Sequence, residues 1–253
     1  MGVGDDNRSV DEGTESFVVA LAALQRRGSA LLVVGAVPED AYRTASAVML
    51  GHDATTTRRR LLVTPNSSGQ GIDDRLRMTG PVTPETAHVV SCADRARGVV
   101  AEADSTTEDP FASPATWVSP ATGPGTKTVW SDGAFGELGA VISRSIGSFV
   151  DVSGGLEPAE LRVAFDCLPS LIERFDEETL FRFLHLLTAQ VRSVSGMIHV
   201  WLPQPRTDRL VRLFEPLFDA VVELRVNGDL TQRWEFRDSD VTSDWFEFEF
   251  DLN

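Results

Sequence analysis

A carboxylate at the point where a strand gives way to a helix is the residue in this sequence best placed to do chemistry. In Leu161 to Phe175, LRVAFDCLPSLIERF, the residues Leu161, Val163, Ala164 and Phe165 make a short, nearly continuous apolar strand that reads as central and covered on both faces. Asp166 sits at its C-terminal end. Ligands of open α/β sheets bind beyond the C-terminal strand ends, so a carboxylate there suits a metal, a nucleotide or a helix cap. Elsewhere the chemistry is sparse. His52, His88, His185 and His199 are scattered with no second ligand at metal spacing, and they read as surface or satisfied core histidines. There is no G-x-S-x-G elbow and no Cys-His arrangement. Arg58, Arg59 and Arg60 form a basic cluster in an acidic chain, either a solvated strand entrance or a contact for an acidic partner.

The elements that must position Asp166 follow from periodicity. Phe17, Leu21 and Leu24 recur at helical spacing between Ser16, a candidate N-cap, and Gly28, a stop, which predicts a helix of about three turns. Ala30–Val34 reads as a buried strand; Gly35, Pro38 and Glu39 then open a turn into a helix reaching Leu50. Arg60–Thr64 gives the next strand, Ile72–Met78 a short helix and Ala87–Ser91 a third strand. Glu102–Pro114 has the composition of a solvated loop, and Trp117 and Val118 resume a strand. Phe135, Leu138, Val141, Ile142 and Ile146 carry a helical stripe. Beyond the central strand, Asp176, Glu177 and Glu178 open a long helix with acidic residues in its first turn, where the helix dipole favours them. Met197–Leu202 is a further buried strand, Arg206–Phe218 an amphipathic segment, and Asn227, Gly228 and Asp229 a hairpin signal between two last strands. The tail DWFEFEFDLN alternates aromatic and acidic residues and suits an edge strand or a peptide docked on a partner.

Composition narrows the function classes. The chain has 253 residues, and 38 acidic against 23 basic residues give a net charge of −15; Lys127 is its single lysine. Such a surface repels phosphate backbones and anionic membrane, which makes nucleic acid a poor partner. An acidic, lysine-poor surface also fits adaptation to high salt, where charges are screened. Cys92 and Cys167 read as small buried hydrophobes near strand ends, with no disulfide framework. The N-terminus lacks the features of a signal peptide and no apolar run approaches a membrane span, so a cytoplasmic location is expected.

Three segments, in order, resemble KaiC/RadA-like members of the RecA superfamily. LLVVGAVPEDAYRTASAVML, Leu31 to Leu50, stands where the first strand, phosphate loop and first helix would be. RLLVTPNSSGQGIDDRL, Arg60 to Leu76, looks like the second strand and the loop that carries paired glutamates in KaiC-like proteins. Leu161 to Pro205 is similar to the Walker B strand, the long helix and the next strand. The match lies in pattern and order, over most of residues 14–237, and is nearest to the uncharacterised degenerate haloarchaeal members. It implies a three-layer RecA-like α/β domain with a mostly parallel central sheet and a C-terminal antiparallel hairpin. By composition, residues 1–13 are expected to be a disordered N-terminus and residues 238–253 an acidic, aromatic tail.

The resemblance also exposes what is missing. A working loop reads G-x-x-x-x-G-K-[ST], its backbone N–H groups and lysine holding the phosphates and its hydroxyl holding magnesium. Laid on Gly35, the motif finds Asp40 for the second glycine, Ala41 for the lysine and Tyr42 for the hydroxyl. A carboxylate beside phosphate costs about 4 kcal/mol at a surface-like dielectric. Arg43 and Thr44, two residues downstream, would substitute if the helix began later, and Asn66 and Ser67 replace the paired glutamates. TGPGTKT, Thr122 to Thr128, holds the one lysine but falls one residue short of the motif and reads as a flexible loop. The expected function is therefore a non-hydrolytic regulatory or signalling scaffold acting through protein–protein contacts, with a protein partner or a homo-oligomer, no membrane, no catalytic residue and no metal, ATP and magnesium being disfavoured. The alternative is a nucleotide-binding protein or weak ATPase using Gly35, Arg43, Thr44 and Asp166.

Overall fold

Short aliphatic runs alternating with amphipathic segments dictate a sheet covered by helices. The computed structural model describes residues 6–51, 56–65, 70–80, 82–93, 125–130, 135–239 and 241–248. Among these a nine-stranded sheet has the order β4-β3-β2-β5-β6-β1-β7-β8-β9. Its strands are β1 (Ser29–Val34), β2 (Arg59–Thr64), β3 (Ala87–Ala93), β4 (Gly125–Trp130), β5 (Leu161–Phe165), β6 (Met197–Leu202), β7 (Ala220–Asn227), β8 (Asp229–Phe236) and β9 (Phe246–Glu247). The first seven run parallel to one another. β8 and β9 run antiparallel. The fold is thus α/β, with a mostly parallel sheet finished by antiparallel strands.

Side-chain alternation decides which helices lie on which face. Leu32, Val34, Leu61, Val63, Val163, Phe165, Ile198 and Val200 point to one side, where they meet α4 (Phe135–Ser153), α6 (Glu177–Ser193) and α7 (Arg209–Phe214). α6 brings Leu180, Phe183, Leu184 and Leu187, the stripe its spacing predicts, and Asp176 caps it by accepting a hydrogen bond from the Thr179 N–H at 2.9 Å. Leu31, Val33, Leu62, Ala164 and Trp201 point the other way, towards α1 (Asp6–Arg27), α2 (Glu39–Met49) and α3 (Gln70–Arg77). β5 is buried along its whole length, so Leu161, Val163 and Phe165 each contribute roughly 1.5–3 kcal/mol of burial.

Several expectations are corrected. α1 is a helix of 22 residues that takes in residues 6–13, which composition assigns to a disordered N-terminus. The helix expected directly after Asp166 is present, as a separate short one, α5 (Leu168–Ile172), ahead of the long helix. The last part of TGPGTKT is strand and not loop: Lys127 belongs to β4, paired in register with Val90 of β3. The hairpin stands as its sequence demands, with Gly228 at φ 87° between β7 and β8. The predicted loop Glu102–Pro114 and strand at Trp117 and Val118 fall outside the described residues, as do Asn66 and Ser67.

Candidate functional site

Asp166 leaves the C-terminal end of β5 and enters a cavity of about 340 Å³ beyond the ends of the central strands. The cavity is bounded by Glu39, Tyr42 and Arg43 of α2, Arg75 of α3, and Trp201 at the end of β6. Both carboxylate oxygens of Asp166 are taken: Oδ1 accepts the Tyr42 hydroxyl at 2.5 Å, and Oδ2 accepts the Arg75 guanidinium at 2.5 Å. The second arm of Arg75 donates to Ser46 Oγ at 2.9 Å, and Ser46 Oγ lies 2.7 Å from Nε2 of His199. Tyr42 stacks on Trp201 with 4.1 Å between centroids and 10° between planes, which fixes the phenol against the strand ends. One connected polar network, Tyr42–Asp166–Arg75–Ser46–His199, therefore ties α2 and α3 to β5 and β6 over the C-terminal edge of the sheet.

The environment locks the protonation state of this network. Burial and the Asp166 charge push the Tyr42 phenol well above its ordinary range, with Arg75 opposing. Burial lowers the Arg75 pKa, but the Asp166 carboxylate and Tyr42 outweigh it and leave the guanidinium with a raised pKa. His199 is pushed down to about 3 by burial; Asp166 opposes this, and the cations Arg75 and Arg162 reinforce it. The imidazole is neutral, and the Ser46 hydroxyl, which accepts from Arg75, has its hydrogen free for Nε2. No shifted group here has a pKa near neutrality, where a general acid or base works best.

A model of the family of unknown function DUF7504 matches residues 28–224. The chain belongs to that family. No curated protein matches it. The residues aligned to DUF7504 include the whole polar network, from Tyr42 to Trp201, and both helices that carry it.

Within this DUF7504 chain the four candidate nucleotide residues are only partly brought together. Arg43 and Asp166 line the same cavity; Gly35 and Thr44 do not. Gly35 has φ 134°, a side chain there would run into the Leu224 carbonyl of β7, and its N–H donates to the Gln204 carbonyl at 2.9 Å. That glycine is demanded by a close backbone approach. Arg43 is held by Glu39 at 2.6 Å and Asp40 at 3.1 Å, so its charge is already answered. Asp40, 92% exposed, turns to solvent and does not enter the cavity, contrary to the clash its place in the motif implies.

The reading of the arginine cluster changes too. The basic cluster is not a solvated patch. Arg59 pairs with Glu160 at 2.7 Å, Arg60 donates to the Thr79 carbonyl, and Arg58 donates to the Ala159 carbonyl at 2.7 Å. Cys92 and Cys167 are free thiols with sulfurs 3.1 Å apart, and burial raises the Cys167 pKa well above the usual thiol value. His88 stacks on Phe149 at 4.2 Å, and His185 is exposed. No group of three or more metal-ligating side chains occurs among the described residues, and no described helix is long and apolar enough to cross a membrane. Sequence reasoning reached Asp166 and noted Tyr42 at the hydroxyl position. It missed Arg75, Ser46, His199 and Trp201 as members of a site, and nothing in the spacing of Arg75 marks it.

Proposed function

We propose that the protein is a three-layer, RecA/KaiC-like cytoplasmic module that has lost nucleotide hydrolysis and acts as a regulatory or signalling scaffold through contacts with a protein partner or further copies of itself. The observation that carries this reading is the double occupation of Asp166. In the proposed ancestry a hydroxyl on the first helix and this carboxylate would share a magnesium ion; here the Tyr42 hydroxyl binds the carboxylate directly, and the Arg75 guanidinium supplies the positive charge. A cation entering would have to displace a charge-assisted ion pair whose side chains are only 4% and 13% exposed. The charges lining the cavity also sum unfavourably for phosphate, since Arg75 is matched by Asp166, and Arg43 by Glu39 and Asp40. The retained parallel sheet and its strand-end network then serve as a rigid frame, and fold alone does not assign the partner.

The alternative, a nucleotide-binding protein, draws on one observation: Arg43 and Asp166 open into the same strand-end cavity, where ligands of such sheets bind. Calorimetric titration with ATP and magnesium separates the two readings. No binding heat and no phosphate release are expected. Sub-micromolar affinity that disappears in a folded Asp166→Asn variant would overturn the scaffold reading.

A further inference from the structure

A second and larger cavity, about 850 Å³, lies on the sheet face beneath α1 and α2 and is walled on its far side by β8 and the segment around β9. Its lining is mostly apolar, with Phe17, Leu21, Met49, Trp234 and Phe248 prominent. Into it project two arginines, Arg58 and Arg162. Arg162 stands on β5, only 7% exposed, and donates from Nε to the Ala159 carbonyl at 2.9 Å and from a terminal nitrogen to the Met49 carbonyl at 3.3 Å. Arg58 donates to the same Ala159 carbonyl at 2.7 Å, while its Nε is buried without a hydrogen-bond partner. Among the described residues no carboxylate pairs with either.

This arrangement is costly in three ways. Two cations converge on one carbonyl oxygen, which satisfies N–H groups but neutralises no charge. They stand side by side against apolar walls, where like charges disfavour one another. The shared carbonyl is presented by Ala159 with φ 60°, a left-handed conformation that a residue with a β-carbon rarely adopts. Burial, reinforced by Arg58, brings the Arg162 pKa down to about 9, so the group remains charged at neutral pH. Gln232 adds a further donor: its Oε1 accepts from Trp234 Nε1 at 2.8 Å, which leaves its amide N–H groups for another partner.

We infer that this cavity is a binding site for an organic monoanion with an apolar body, a carboxylate held between Arg58 and Arg162 and an aliphatic or aromatic chain lying against Phe17, Trp234 and Phe248. The bidentate fork of a guanidinium matches a carboxylate, and the apolar walls match a chain, so head and body are each answered by a different part of the lining. The site is separate from the strand-end cavity and does not depend on whether that cavity takes a nucleotide. α2 forms a wall of both, however, with Met49 on one and Tyr42 on the other, and His199 of the polar network reaches the lining of the second. Occupation of the cavity can therefore be felt by the network.

Decanoate, below its micellar range, is the probe, and decanol is its uncharged counterpart. Decanoate is expected to raise the melting temperature in a saturable way and to change the tryptophan emission, with decanol binding at least tenfold more weakly. The Arg162→Met variant keeps an unbranched apolar stem but not the charged fork. It should lose at least tenfold in decanoate affinity, retain decanol binding, and melt no lower than the parent without ligand, because it removes a buried cation that no carboxylate among the described residues pairs with. Arg58→Met supplies the second variant and should also lose decanoate. Failure of decanoate to bind the parent protein would overturn the proposal. So would equal binding of decanoate and decanol, or unchanged decanoate affinity in both variants.

Discussion

At the scale of single residues, Asp166 shows how a strand-end carboxylate can be used up by its own protein. Its partners Tyr42 and Arg75 lie 124 and 91 positions away, and each occupies one oxygen. Deleting one member of such a buried pair leaves the other uncompensated, typically at about 3–5 kcal/mol, so the arrangement holds α2 and α3 to the sheet as well as filling the cavity. His199 supplies a test of how rigidly the network is held. Its folded pKa, about 3, lies below the unfolded value of 6.5, so between these limits the unfolded chain binds the extra proton. The resulting stability is present above pH 6.5 and is lost as the pH falls. Between pH 6.5 and 5, above most carboxylate titration, the loss should be roughly 2 kcal/mol, and His199→Gln should flatten that limb in denaturant titrations. An identical acid limb in the variant would show that His199 is not held neutral in the folded protein. Asp166 was legible because a carboxylate ending an apolar strand is a local signal. Arg75 was not: in sequence it is one arginine on a short polar helix, and only the crossing of α3 over the strand ends brings it to the carboxylate.

At the scale of elements, local periodicity was enough to place β1, β2, β3, β5, β6 and the hairpin, because strands buried on both faces announce themselves as short aliphatic runs. What it could not give was the destination of the tail. Alternating aromatics fit an edge strand and a partner-bound peptide equally well, and the structure uses them at home. Phe246 and Glu247 pair with Gln232 and Thr231 of β8, Phe248 is buried, and Trp245 is flanked by Arg225 and Arg233 at 4.0 and 5.0 Å from its ring. Phe17 of α1 closes the cluster edge-on to Phe246 at 5.4 Å and to Trp234 at 6.0 Å. Removing the residues after Ser239 is therefore expected to lower the melting temperature, since it exposes Trp234 and Phe17 and withdraws Phe248 from the core. Losing buried Phe248 together with half-buried Phe246 should cost about 3 kcal/mol. A truncated protein that melts with its parent would mean that the tail is not packed on its own sheet, and would return it to the list of partner contacts.

At the scale of the whole molecule, charge is the one property that composition supplies outright, and its consequence depends on which of two opposing effects of salt prevails. Salt weakens attraction within ion pairs such as Arg182 with Glu178 and Arg209 with Glu177, whose side chains are well exposed. Exposed pairs of this kind contribute about 0–1 kcal/mol each, so little is lost when they are screened. Against them stands the repulsion of a net −15 charge. At about 0.01 M salt the Debye length is roughly 30 Å and like charges repel across the domain, whereas at 1 M it is about 3 Å and only neighbours interact. With one lysine in the chain and many arginines engaged inside it, few cations of its own remain to answer the surface carboxylates. Self-repulsion should prevail, and the melting temperature should rise substantially from 0.01 M to 2 M potassium chloride, concentrations chosen to span roughly those screening limits. Specific ion binding would make the rise continue beyond the range in which screening saturates. Equal melting temperatures at the two ends of the series would contradict the high-salt reading and restore full weight to the electrostatic argument against nucleic acid.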